Sequence, residues 1–146
     1  MNNKDRDSPP LVRGVVLTHG SMCHGMVDAV RKIAGTDEDA LVAVSNDGVG
    51  PDELYARVIE AAGSGPAIIF TDLQSGSCAL AARFACRDPE NRQIVFGANL
   101  PILLDFVFHR DLPMNVLVER LLEKGRAAIR TLEPVAASDE PGSASG

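Results

Sequence analysis

Two polar pairs stand where chemistry could be done. Thr18-His19-Gly20 follows the apolar run Val12 to Leu17, broken only by Arg13 and Gly14, and Thr71-Asp72 follows Ala67 to Phe70. Both runs read as buried parallel strands. An imidazole and a carboxylate are then placed at strand C-terminal ends, where open α/β sheets carry their sites. Near neutral pH an imidazole is partly uncharged, and its free nitrogen is a usable nucleophile. A carboxylate on the other ring nitrogen fixes the tautomer and stabilises the positive charge that develops on attack. His19 oriented by Asp72 is therefore a candidate carrier of a phosphoryl group. A histidine satisfying a strand end and an aspartate capping a helix compete with that reading, and motif position alone does not separate the two.

The loop Leu73-Gln74-Ser75-Gly76-Ser77 leads into a predicted helix. Free N–H groups and the dipole at a helix start attract anions. Ser75 and Ser77 add hydroxyl donors, and Gly76 allows close backbone approach. That suits a phosphoryl group at His19, although a serine before a helix is also the commonest N-cap. His19, Cys23 and His24 have residue types that bind zinc. Adjacent helical residues diverge by about 100°, however, and no fourth ligand is evident, so no metal site is expected. His109-Arg110-Asp111 closes a helix, where positive charge complements the dipole. No Walker loop, GxGxxG, GxSxG or HExxH motif occurs, which removes the main support for an ATPase, a Rossmann dehydrogenase or a zincin.

The elements that must position these residues alternate. Strands are predicted at Val12–Thr18, Ala40–Val44, Ala67–Thr71 and Arg92–Phe96. Helices are predicted at Met22–Ala34, 51–62 and Ser77–Cys86, then at about 101–109 and 113–131. Met22, Met26, Val30 and Ile33 are the expected inner face of the first helix, and Leu54, Val58 and Ala61 or Ala62 that of the second. Ala79, Ala81, Ala82 and Ala85 permit the third to pack closely on a sheet. The sum is a single α/β domain: a four-stranded, mainly parallel open sheet with helices on both faces. Strand order 2-1-3-4 would put His19 and Asp72 on opposite lips of the switch-point crevice.

Composition sets the frame. A chain of 146 residues is the size of one domain, and 45% hydrophobic with 23% charged is ordinary for a globular protein. A net charge of −6 argues against non-specific nucleic-acid binding, which needs a basic footprint. Cys23, Cys78 and Cys86 are odd in number and lack CxxC spacing, so they predict no disulfide framework and point to a reducing compartment. No run approaches the ~18 apolar residues of a membrane span, and the N-terminus has no secretory h-region. A cytoplasmic protein without direct membrane insertion is expected. Residues 1–10 and 133–146 read as disordered tails around a domain at 11–132.

Four segments in order resemble a known family, the IIA component of mannose-type (mannose/fructose/sorbose) bacterial sugar phosphotransferase systems. They are Gly14-Val-Val-Leu-Thr-His-Gly20, Ile68-Ile-Phe-Thr-Asp-Leu-Gln-Ser-Gly-Ser77, Gln93-Ile-Val-Phe-Gly-Ala-Asn-Leu-Pro101 and Glu123-Lys-Gly-Arg-Ala-Ala-Ile. The chain departs from the family's loop at three positions: Gln74 stands for an aromatic residue, Ser75 for the first glycine and Cys78 for a proline.

The resemblance implies a phosphocarrier. His19 would accept a phosphoryl group from phosphorylated HPr and pass it to a IIB component. Asp72 would orient the ring, and Ser75, Gly76 and Ser77 would contact the phosphoryl group. The resemblance also implies a homodimer that exchanges an additional edge strand, and no cofactor. The alternatives are a regulatory IIA-like protein, whose phosphorylation controls partner binding without sugar transport, and the IIA-like subunit of phosphotransfer-dependent dihydroxyacetone kinases. The Gly-Ala-Asn-Leu-Pro exit is more similar to the mannose type. A flavodoxin-like module binding a small ligand in the same crevice, with His19 structural, is the alternative from another class.

Overall fold

The computed structural model describes residues 10–134. Within them four strands and five helices alternate: β1 (Arg13–Thr18), α1 (Met22–Ala34), β2 (Leu41–Ser45), α2 (Pro51–Ala62), β3 (Ala67–Thr71), α3 (Ser77–Ala85), β4 (Arg92–Val95), α4 (Leu100–Phe108) and α5 (Met114–Ala128). The strands form one sheet of order β2-β1-β3-β4, every pairing parallel. This is the expected single-domain open sheet. The expected tails fall outside the described residues except for Pro10, Glu133 and Pro134. The extra exchanged strand has no counterpart among the described residues, and 129–134 carry no regular secondary structure.

The sheet is covered on both faces because its strands alternate with period two and are apolar on both sides. Val16, Ile68 and Phe70 face one layer with Val27 and Val30 of α1, Leu103 and Phe106 of α4, and Leu117 and Leu121 of α5. Val15, Leu17 and Ile69 face the other, against Leu54, Val58 and Ala62 of α2 and Ala81, Ala82 and Ala85 of α3. Each fully buried Val, Leu, Ile or Phe contributes about 1.5–3 kcal/mol. Phe70 and Phe106 meet edge to face at 5.1 Å between centroids. The β1 backbone comes close beneath them: a Cβ on Gly14 would stand 2.6 Å from both Leu41 Cδ1 and Phe106 Cε1.

Differences from expectation lie at element ends. Val12 does not join β1; its N–H and C=O bond Arg110 instead. β2 runs one residue later than expected, so Ser45 pairs in register with Thr18. β4 stops at Val95, one residue short of Phe96, and Cys86 caps α3 instead of extending it. The buried face of α1 is Cys23, Val27 and Val30, while Met22 and Ile33 are exposed. The helix is turned by roughly one residue because Thr18 Oγ1 accepts the Cys23 N–H at 2.7 Å and draws Cys23 inward. α4 starts at Leu100 because Asn99 Oδ1 accepts the Ile102 N–H at 3.0 Å.

Candidate active site

β1 and β3 are neighbours with Leu17 opposite Thr71, so the residues beyond each strand emerge together at the C-terminal edge. The chain leaves β1 for β2 on one side of this point, while β3 leads to β4 on the other. That divergence opens the switch-point crevice. Buried hydroxyls pin both turns: Thr18 Oγ1 holds the start of α1, and Thr71 Oγ1 donates to the Leu73 carbonyl at 2.9 Å.

Asp72 then reaches across to His19. Its Oδ2 accepts the His19 backbone N–H at 3.0 Å and lies 2.9 Å from Nδ1 of the ring. Its Oδ1 accepts the Leu73 N–H at 3.0 Å. Burial alone would raise the Asp72 pKa. The His19 backbone N–H, the His19 ring and the Leu73 N–H outweigh it, and the net shift is downward. An ionised carboxylate only accepts, so Nδ1 carries the hydrogen and Nε2 is left with the free lone pair. The imidazole side chain is 39% exposed and the carboxylate 10%, which leaves the ring reachable and its partner shielded.

Gly76 stands directly beside that lone pair. Its φ is +96°, and a Cβ there would lie 3.3 Å from Nε2. Glycine serves twice at this position, by adopting a conformation that L side chains avoid and by leaving room against the ring. α3 starts at the next residue with no side chain capping it and no acidic residue in its first turn. Its leading N–H groups are thus available to an anion. Ser77 and Ser75 are both exposed there.

Two residues that sequence reasoning missed complete the crevice. Ser45 Oγ donates to the Gly20 carbonyl at 2.6 Å. Asn46 Oδ1 accepts the Gly20 N–H at 3.2 Å, and its Nδ2 donates to Ser77 Oγ at 3.3 Å. Both sit at the end of β2. The signal that could have found them is the parallel sheet itself, which brings every strand's exit to one edge.

His19, Cys23 and His24, whose residue types could bind zinc, lie in different surroundings. Cys23 is buried in the core, and His24 is exposed on α1 beside a groove along β2 that also holds Arg57 and Glu60. His109 caps α4, its Nδ1 2.7 Å from the Asp105 carbonyl. Asp105 in turn binds Arg120 of α5 through both carboxylate oxygens, so this cluster is a helix-to-helix tie.

Among the described residues one group offers a cation three ligand atoms, those of His19, Asp72 and Cys78, all within 4.8 Å of one another. It fits a cation poorly. Asp72 Oδ2 already takes two N–H groups from His19. The Cys78 thiol is pushed up to about 11, first by burial and then by the Asp72 charge, so it holds its proton at neutral pH.

The sequence matches the model of the EIIA-man family, described as PTS system fructose IIA component, over residues 14–124. The chain belongs to this family. No curated protein sequence matches it. Solved structures share its fold. The phosphotransferase system component EIIA from Streptococcus agalactiae superposes with a TM-score of 0.76 at 17% identity, covering 83% of this chain and 97% of that one. The mannose/sorbose specific IIA subunit from Enterococcus faecalis gives 0.73 at 21% identity, with 87% and 98% covered. The PTS IIA protein associated with the fucose utilization operon from Streptococcus pneumoniae gives 0.71 at 21%, with 85% and 95% covered. As a IIA component the chain belongs among phosphotransfer carriers. Among the described residues no helix is long and apolar enough to cross a membrane.

Proposed function

We propose that this chain carries phosphoryl groups on Nε2 of His19, receiving them from phosphorylated HPr and handing them to a IIB component for sugar uptake. The observation that carries the reading is the double donation from His19 to Asp72 Oδ2, which leaves Nε2 bare beside Gly76. In the step, the Nε2 lone pair forms a bond to phosphorus. The bond from phosphorus to the donor breaks, and its electron pair leaves with the donor. The hydrogen on Nδ1 stays where it is. Attack leaves positive charge on the ring, and the adjacent carboxylate stabilises it. Gly76, Ser77 and the N-terminus of α3 receive the phosphoryl oxygens, with Ser75 at the rim. Catalysis is then positioning and electrostatics, as in other phosphoryl transfers. No cofactor takes part.

Donor and acceptor bind in turn at the exposed crevice, through transient interfaces of modest area. The reading places the protein in the cytoplasm. It also makes the carrier a homodimer, a reading supported by the 78% and 88% exposure of Ile129 and Leu132, which follow α5.

The test is incubation with phosphoenolpyruvate, enzyme I and HPr, followed by intact mass and then by addition of a mannose-type IIB protein. One acid-labile phosphoryl group, lost in His19→Ala and passed on to IIB, is the expected result. Full phosphorylation of His19→Ala overturns the assignment. Phosphorylation without onward transfer to any IIB replaces the transport role with the regulatory one.

A further inference from the structure

Asn46 makes contacts that a loop residue after an edge strand does not need. Its backbone N–H bonds the Thr18 carbonyl at 3.3 Å, which sets it at the end of β2 level with the His19 turn. From there its amide faces two groups at once. The Gly20 N–H can only donate, so the oxygen of the Asn46 amide must face it. The amide nitrogen is then forced toward Ser77. An amide N–H can only donate, so Ser77 Oγ must accept on that side. The hydroxyl has one hydrogen, and this contact does not use it.

We propose that Asn46 is a positioning residue that sets the polarity of Ser77: by donating to Ser77 Oγ it leaves the Ser77 O–H to donate to the phosphoryl oxygens on His19. The proposal rests on the phosphohistidine reading above and adds to it a residue from the end of β2, a third strand beside the two that supply ring and carboxylate. The hydrogen has a weak competitor nearby in the Cys78 sulfur, and an oxyanion is the stronger acceptor. Asn46 also acts on the ring's own turn. With Ser45 it holds both backbone polar groups of Gly20, the N–H through Oδ1 and the C=O through the Ser45 hydroxyl. One side chain thereby ties the histidine turn to the oxyanion loop.

Aspartate at this position keeps the packing, removes the donor and adds a negative charge, whose own cost is the part of the Asn46→Asp effect that persists in the Ser77→Ala background. In Asn46→Asp the carboxylate still accepts the Gly20 N–H, so the turn keeps its bond. It cannot donate to Ser77, whose O–H must then turn inward. The experiment measures the rate of phosphorylation by phospho-HPr, and the half-life of the phosphorylated protein, in wild type, Asn46→Ala, Asn46→Asp and Ser77→Ala. The double variants Asn46→Ala/Ser77→Ala and Asn46→Asp/Ser77→Ala complete the cycle, and thermal unfolding is followed for each.

Loss of one charge-assisted hydrogen bond predicts roughly a tenfold to hundredfold slower rate for Ser77→Ala and for Asn46→Asp. Asn46→Asp is expected to unfold at the wild-type temperature. In the Ser77→Ala background the Asn46→Ala substitution is expected to cost less than about threefold, since most of its effect runs through the missing hydroxyl. Equal cost of Asn46→Ala with and without the Ser77 hydroxyl overturns the proposal, as does a wild-type rate in Asn46→Asp. Wild type that takes no phosphoryl group overturns the phosphohistidine reading and this proposal together, whereas normal wild-type transfer with uncoupled variants removes this proposal alone.

Discussion

At Asp72 three N–H groups converge on one carboxylate, two from His19 and one from Leu73. A carboxylate with a lowered pKa in the fold stabilises it above its ordinary range near ~3.9. That stabilisation is lost as pH falls through the lowered value, because the unfolded chain binds the proton first. Asp72→Asn is therefore expected to flatten the acid limb of stability against pH, measured by chemical denaturation across the acidic range. The same substitution is expected to slow phosphorylation by about tenfold to a hundredfold, one charge-assisted hydrogen bond, with the fold intact. An unchanged rate removes Asp72 from the mechanism. Gly76→Ala acts on the other side of the ring. It forces an L side chain to φ +96° and sets a methyl 3.3 Å from Nε2. It is expected to slow phosphorylation more than tenfold and to cost about 1–3 kcal/mol of stability, read by transfer kinetics and denaturation. His19 and Asp72 were legible because a polar residue closing an apolar strand marks a sheet edge. Asn46 was not. Its work depends on the register of Thr18 with Ser45, and β2 was expected to end one residue before that pair.

At the scale of elements the sequence predicted every strand and helix in order, because apolar period and glycine or proline breaks are local signals. Boundaries followed where a local cap sets them. Gly35, in the left-handed conformation with its N–H on the Arg31 carbonyl, ends α1 as expected. They failed where tertiary packing sets them. α5 was expected to run to 131 and stops at Ala128, within a turn of Gly125, its last buried residue; helix stability comes chiefly from packing. The junction of α4 with α5 rests on Asn99, which caps α4 through Oδ1 and donates through Nδ2 to the Gly125 carbonyl at 3.2 Å. A Cβ on Gly125 would stand 2.3 Å from Ile102 Cδ1, so the two helices meet there without a spare methyl. Asn99→Ala is expected to cost about 1–2 kcal/mol, measured by urea denaturation, with phosphorylation unaffected in the folded fraction.

Across the molecule, the parallel order β2-β1-β3-β4 makes three separate strand ends into one site. The sheet order was legible only as an order that the pattern permits; the structure supplies the side-chain contacts at its edge. The double-sided core takes up Cys78 fully and Cys86 in part. Cys78 and Cys86 are both pushed from 9.0 to about 11, chiefly by burial. A thiol raised in the fold adds stability that is fully present below the unfolded value and lost as pH climbs through the folded one. The protein is expected to lose stability between pH 9 and about 11, and Cys78→Ala/Cys86→Ala to lose less across that window, as followed by denaturation midpoints.

The most direct measurement of the central claim is the two-bond proton–nitrogen correlation of the His19 ring in uniformly nitrogen-15-labelled protein, before and after phosphorylation. The account predicts a hydrogen on Nδ1 in both states and phosphorus on Nε2 after transfer. Phosphorus on Nδ1, or a His19 ring unchanged while the protein gains a phosphoryl group elsewhere, contradicts it.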